Sequence, residues 1–323
     1  MSWEQELRAA YRTPNDLVQA GLLSPEEVIQ AGKVSLKYQF LLPQYYANLI
    51  DKKDPHCPIR LQAIPSFEEL ESRIEEMKDP LQDLQHQPIQ RITHRYQNRA
   101  LFHLTPNCSM YCRFCFRKTL LNELKPSLFS GTWKEAFQYL RQTPEVSEVI
   151  FSGGDPLMVG DEVLRKVLEE LEAIAHLKRV RFHTRVPVTF PSRVTLELSE
   201  SLSSTRFHPV VVTHFNHPKE VTLETRRGLE LLKKRTVLLN QSVLLRRVND
   251  SIDTLVELSE KLFEAGVLPY YLHQLDPSIG TGHFFVAEGE GQRIWEGMKS
   301  RLPGYLVPRY VKDIVGIPYK SSV

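Results

Sequence analysis

The chain has 323 residues, 41% of them hydrophobic and 25% charged, enough to bury a large core with an appendage. Its 41 basic and 39 acidic residues leave a formal charge of +2, which offers no strong field to nucleic acid or to a membrane surface. No apolar run nears the roughly 20 residues needed to span a bilayer, and Met1-Ser-Trp-Glu-Gln-Glu-Leu7 lacks the basic and apolar blocks of a signal peptide. A cytoplasmic protein is expected, in which clustered thiols serve metal or redox work more often than disulfides.

Residues 1–90 read as a mainly helical, turn-rich extension. Thr13-Pro14 opens one helix and Ser24-Pro25-Glu26-Glu27 a second, with proline at the first helical position and acids in the first turn. Pro55, Pro58, Pro65, Pro80 and Pro88 break up the remainder of the extension.

From residue 91 the rhythm changes. Short apolar runs at 100–105, 148–152, 179–184, 207–214, 236–241 and 267–274 alternate with amphipathic segments. In the segment from Asp161, Val163, Leu164, Val167, Leu168 and Leu171 share one face; the segment from Asp250 is expected to be capped by that residue and ended by Gly266. Apolar strands separated by helices indicate parallel β/α units with both sheet faces covered. The expectation is an α/β fold, a partial (β/α)6 TIM-like barrel over 91–287, with a C-terminal helix and tail at 288–323. Polar residues collect beyond the strand ends, where such folds place their chemistry.

Three of the four cysteines fall within Cys108-Ser-Met-Tyr-Cys112-Arg-Phe-Cys115, just after the first of these runs. A cubane iron–sulfur cluster takes one thiolate for each iron anchored to protein, so three thiolates on one loop leave a fourth iron open to a small molecule. Structural zinc and buried free thiols are the alternatives. The spacing departs from the paired halves of structural zinc sites, and Cys57 reads as an ordinary thiol.

This loop resembles the signature of the radical S-adenosylmethionine enzymes, in which the open iron chelates the methionine portion of the cofactor. Thr105 to Lys118 is similar in particular to the lysine 2,3-aminomutase family. So are Ser152-Gly-Gly-Asp-Pro-Leu157, His214-Phe-Asn-His-Pro218, Leu239 to Asp250 and Tyr271-Leu-His-Gln-Leu-Asp276. The likeness covers roughly residues 85–320 and rests on many points at once.

The resemblance implies a [4Fe-4S] cluster on Cys108, Cys112 and Cys115, with S-adenosyl-L-methionine held in part by Ser152, Gly153, Gly154 and Asp155. Read locally, the successive glycines let backbone amides approach a ligand while Asp155 fixes a polar edge; a tight βα turn is the alternative. It also implies pyridoxal 5'-phosphate, whose phosphate falls to Arg95 and Arg99, with Tyr96 against the cofactor and Lys320 as the catalytic lysine that carries it. Solvated arginines at a strand entrance are the local alternative. Lys320 lies three residues from the last residue and is expected to be poorly ordered without cofactor.

For the substrate, free lysine, the resemblance assigns the carboxylate to Arg117, whose guanidinium offers a planar fork, and the distal ammonium to Asp276 and Asp313. Locally, Asp276 could cap a segment and Asp313 sit on a solvated turn.

Departures narrow the branch. Ser251 stands where the large lysine-degrading enzymes carry a zinc-ligating cysteine, the chain stops at Val323 without their extension, and His273 replaces a cofactor-facing tyrosine. The shorter form resembles the branch making (R)-β-lysine for elongation factor P, to which a separate lysyl ligase attaches the product. The alternative is (S)-β-lysine in lysine metabolism. Other radical chemistry, or a noncatalytic metal scaffold binding elongation factor P or its ligase, are further alternatives. A reduced flavodoxin- or ferredoxin-like electron donor is implied. A homodimer is compatible with the sequence, which does not fix the oligomeric state.

Overall fold

A computed structural model of the chain describes residues 2–71, 75–123, 129, 132–203 and 205–323. One sheet carries nine strands in chain order: β1 (Ile92–Tyr96), β2 (Arg99–Thr105), β3 (Glu148–Gly153), β4 (Arg179–His183), β5 (Val210–Thr213), β6 (Val237–Val243), β7 (Leu268–His273), β8 (Arg309–Lys312) and β9 (Ser321–Ser322). Strands β2 to β8 run parallel, and β1 and β9 pair antiparallel at the two edges. The six expected strands are β2 to β7, and β8 adds one more parallel strand. Helices Trp133–Gln142, Asp161–Glu172, Leu196–Ser203, Leu223–Lys233, Ile252–Glu264 and Glu288–Lys299 fill the successive crossovers. The result is a partial (β/α) barrel.

Apolar packing sets this order. Phe102, Phe151 and Phe182 are in register on β2, β3 and β4 and fully buried, with ring centroids 5.8 and 4.8 Å apart. Such a row is what a sheet covered on both faces requires. Leu164, Val167, Leu168 and Leu171 bury the expected helix face, while Val163 is only half-buried.

Two local expectations change. The run at 207–214 shortens to Val210–Thr213, because Pro209 has no N–H to give the ladder. The helix expected to be capped by Asp250 starts from Ser251, whose hydroxyl accepts the Thr254 N–H. Asp250 instead accepts the Arg247 N–H and pairs with Arg246. Gly266, at φ +77°, ends the helix as expected.

In the extension, Ser2, Thr13 and Ser24 each form a capping box at the start of Trp3–Arg8, Pro14–Gln19 and Pro25–Lys37. Leu17, Leu42, Tyr46 and Ile59 join one continuous core with the barrel. The extension also braces the cysteine loop, since Tyr111 N–H donates to Leu41 O at 3.3 Å and Arg113 N–H to Gln62 O at 3.0 Å. Among the described residues no helix is long and apolar enough to cross a membrane.

Candidate active site

The cysteine loop leaves the end of β2. Cys108 and Cys115 pack against the apolar group Leu120, Leu121 and Phe129, while Cys112 lies against Phe114, Leu245 and Val248. Arg185, two residues past β4, aims its guanidinium at Cys112 and donates to its Sγ at 2.8 Å. The same side chain donates to Glu220 and Gln62 at 2.7 Å, to Tyr46 Oη at 3.1 Å and to the His214 carbonyl at 3.3 Å. A buried cation so fully held supplies fixed positive charge beside a sulfur that must become a thiolate to bind metal.

Behind the loop, Glu69 accepts from Arg113 Nε at 2.9 Å and from Lys118 Nζ at 2.6 Å, all three buried. Burial pushes the Glu69 carboxyl up, but Arg113 and Lys118 outweigh it and hold it at about 2. Burial lowers Lys118 to about 8 against the pull of Glu69. Burial also raises the Cys115 thiol to about 11.

The Ser-Gly-Gly-Asp turn is tied to the cysteine loop. Gly154 N–H donates to Thr105 O at 2.9 Å and Asp155 N–H to Asn107 O at 2.8 Å, so these amides hold the cysteine loop rather than face a ligand. A Cβ on Gly154 would stand 2.4 Å from the Asn107 carbonyl oxygen, and Gly153 sits at φ +118°. Close backbone approach and a positive φ require glycine at these two positions. Asp155 accepts from Leu157 N–H (3.0 Å), Thr184 Oγ1 (2.7 Å), Arg185 N–H (2.7 Å) and Val186 N–H (3.1 Å), which makes it a brace between β3 and β4. Ser152 Oγ accepts from Arg117 at 3.0 Å.

Arg117 is buried and tied through Nε to Asp83 Oδ2 at 2.8 Å. Burial raises the Asp83 carboxyl, yet Arg117 outweighs it and the net shift is downward. With Nε on Asp83 and Nη1 on Ser152, Nη2 has no hydrogen-bond partner among the described residues.

Across the barrel mouth the sheet edges meet through side chains. Arg95 donates to Ile314 O at 2.8 Å and lies 3.6 Å from Asp313; Tyr96 Oη donates to Asp313 Oδ1 at 3.1 Å. Lys320 Nζ bonds Asp313 Oδ2 and lies 5.8 Å from the Tyr271 ring centroid. Arg99 stacks over the Tyr96 ring at 3.9 Å and donates to the Asn98 side chain at 2.9 Å. The tail pairs with β8, Val311 with Ser322 and Lys312 with Ser321, and Val323 N–H donates to Tyr310 O.

No described donor hydrogen-bonds the Asp276 carboxylate. Burial, then the neighbouring Asp313, raises it to about 7, with Lys320 opposing. Burial holds His183 and His273 well below the usual histidine range, and Lys320 adds to this in both. Asp276, Asp313, Lys320 and Arg95 thus gather at the mouth, and no described cation forms an ion pair with Asp276.

The residues fit the implied groups unevenly. For the cluster, an all-sulfur donor set lies on one loop with Arg185 fixed on one thiol. Among the described residues no group of three His, Cys, Asp or Glu is arranged to hold a single ion; a cubane asks something different, since each thiolate takes its own iron. For a phosphate, Arg95 keeps a buried Nε without a partner among the described residues. The Nε2 atoms of His183 and His214 are also buried and unpartnered, and His214 packs against Phe114 of the cysteine loop at 5.4 Å. Such orphaned polar atoms suit a polar organic ligand.

Residues 98–187 match the model of a 4Fe-4S single cluster domain. Over 99% of its length the chain is 39% identical to L-lysine 2,3-aminomutase of Clostridium subterminale, spanning 77% of that protein. It is 38% identical, over 95% of that protein, to the enzyme of the same name from Haemophilus influenzae, and 37% identical to that of Escherichia coli K12 over 94%. The chain belongs to the L-lysine 2,3-aminomutase family. It is a radical S-adenosylmethionine aminomutase, an isomerase. A radical SAM methyltransferase from Sphaerobacter thermophilus overlaps it at a TM-score of 0.45 and 15% identity over 68% of each chain, too loosely to add to the strand topology.

Sequence reasoning missed Asp83, Arg185, Glu220 and His183 in this aminomutase. Arg185 and His183 had a usable signal, their place at the end of a parallel strand. Asp83 and Glu220 had none, because only folding brings them to Arg117 and Arg185.

Proposed function

We propose that the chain isomerises free L-lysine to β-lysine by moving the amino group from C2 to C3. The reading is carried by one observation: Asp276 and Asp313 stand close together at the mouth, where Lys320 and Arg95 both pair with Asp313 and no described cation pairs with Asp276. A buried carboxylate without a counter-cation is costly, and a substrate ammonium supplies one. Glutamate would bring a further negative charge.

When bound, the cluster with S-adenosylmethionine supplies a radical and pyridoxal phosphate a π-system through which nitrogen migrates. The chain's residues bind and orient. Cys108, Cys112 and Cys115 would ligate three irons, with Arg185 compensating charge at Cys112. Ser152, Gly153, Gly154 and Asp155 would contact the methionine end of S-adenosylmethionine beside the cysteine loop they brace. Arg95 and Arg99 would receive the phosphate, Tyr96 the cofactor face, and Lys320 the cofactor aldehyde once freed from Asp313. Arg117, steadied by Asp83, would present Nη2 to the substrate carboxylate. Asp276 and Asp313 would hold the distal ammonium, keeping C3 where hydrogen is removed and returned.

Two destinations for the product are distinguishable. Similarity to the lysine aminomutases supports (S)-β-lysine in lysine metabolism more directly. The expected (R)-β-lysine for elongation factor P draws on the short architecture, but relatives of both lengths bear the same name at nearly equal identity. Anaerobic incubation with free L-lysine, S-adenosylmethionine, pyridoxal phosphate and a reductant, followed by chiral separation, tests both. No β-lysine of either configuration would sink the reading.

A further inference from the structure

Arg185 is fixed at both its backbone and its head. Its N–H donates to Asp155 Oδ2 at 2.7 Å, and its guanidinium lies 4.9 and 5.5 Å from the ring centroids of Phe114 and Tyr46. Nη1 reaches Cys112 Sγ, whereas Nη2 is shared among Glu220, Gln62 and Tyr46. Glu220 is fully buried and held in its turn. It accepts from Tyr46 Oη and Asn216 N–H at 2.6 Å and from His217 N–H at 2.9 Å. One cation and one anion are thus locked behind a single sulfur.

The other cations near the loop spend their donors elsewhere. Arg117 donates to Asp83 and Ser152, and Lys118 to Glu69 and to the Arg113 and Gly280 carbonyls. A hydrogen bond to a ligating thiolate, with fixed positive charge beside it, favours the cluster form that carries the extra electron. A carboxylate behind the guanidinium acts in the opposite sense. The pair is neutral as a whole, which lessens the cost of burying it, yet it turns its positive end to the sulfur. Burial keeps both effects from being screened by solvent and salt.

We propose that the buried Arg185–Glu220 pair sets the reduction potential of the cluster through Cys112, with Arg185 favouring the reduced form and Glu220 opposing it. The inference rests on the proposed function, in which the three thiols carry a reducible cluster. The cluster gains one electron from a one-electron donor; no bond or proton moves. Arg185 is a positioning residue here, since it acts through a cluster ligand.

The test uses the full chain with its cluster reconstituted anaerobically. A mediated redox titration is followed by electron paramagnetic resonance of the reduced cluster, without S-adenosylmethionine or lysine, so that any shift arises at the cluster. Arg185→Gln should lower the ratio of reduced to oxidised cluster at a fixed potential by about tenfold or more, a midpoint about 59 mV more negative for one electron. Glu220→Gln should raise that ratio by about threefold or more, because the guanidinium charge is then less compensated. Arg185→Lys keeps the charge and should stay within about threefold of the parent. Lys166→Gln, an exposed control, should move nothing.

An unchanged midpoint in iron-replete Arg185→Gln would overturn the proposal, as would shifts of the same sign in Arg185→Gln and Glu220→Gln. Where Arg185→Gln holds no iron, Glu220→Gln decides alone: a positive shift supports the pair, and a negative or absent one overturns it. A parent chain with no reducible cluster would overturn both this proposal and the aminomutase reading. The expected shifts in a chain that makes no β-lysine would overturn that reading alone.

Discussion

Asp276 carries the clearest consequence at the scale of one residue. Its carboxyl sits at about 7 because burial and Asp313 both oppose its charge. A carboxyl raised in the fold binds more protons there than in the unfolded chain, so its contribution to stability falls as pH rises from the ordinary aspartate range to about 7. Lysine binding has the opposite slope. Its ammonium prefers the ionised carboxylate, so affinity should climb about tenfold per pH unit below about 7 and level off above it. Calorimetric titration of the cofactor-loaded protein across that window would show the slope, and Asp276→Asn should abolish it. The same variant should weaken lysine by about 100-fold while retaining pyridoxal phosphate, in line with losing one partner of a charged hydrogen bond. Equal loss of both ligands would instead mark Asp276 as structural.

The cysteine loop is the element whose shape the site depends on. Its position is set by backbone, through Thr105 and Asn107 carbonyls on the Gly154 and Asp155 amides. Gly154→Ala would drive a methyl group into Asn107 and Pro106, with contacts of 2.4 and 2.7 Å to relieve. The expected cost is about 1–3 kcal/mol from overpacking, seen as a lower denaturation midpoint together with incomplete iron loading. Cys112→Ala acts differently. It removes one soft ligand from a half-buried position, so iron content should collapse while far-ultraviolet circular dichroism stays that of a folded barrel. Full iron loading in that variant would take Cys112 out of the ligand set.

Over the whole molecule, the extension and barrel form one mechanical unit around the loop. Glu69 comes from the extension and pairs with both Arg113 from the loop and Lys118 from the helix after it. Glu69→Gln leaves those buried cations short of an anion, at a cost of about 3–5 kcal/mol. Chemical denaturation should reveal that loss, and iron uptake should fall with it; unchanged stability would mean the charges relax to water. The two sheet edges are tied in a comparable way. Arg95 and Tyr96 on β1 meet Asp313 and Ile314 after β8, so closure across the mouth is made by side chains where the ladder stops.

Local rules were enough for much of this fold and site. Alternating apolar runs gave the parallel strands, cap residues placed the first helices, and cysteine spacing marked the metal loop, because each signal lies within a few consecutive residues. The family likeness added Arg95, Tyr96, Arg117, Asp276, Asp313 and Lys320. Tertiary structure decided what no local window contains. It put Asp83 on Arg117, and Glu220 with Tyr46 on Arg185, across 34, 35 and 139 residues of chain. It also turned the Gly154 and Asp155 amides inward to the cysteine loop. Charge compensation and close backbone contact depend on distance in space, and a one-dimensional pattern does not record it.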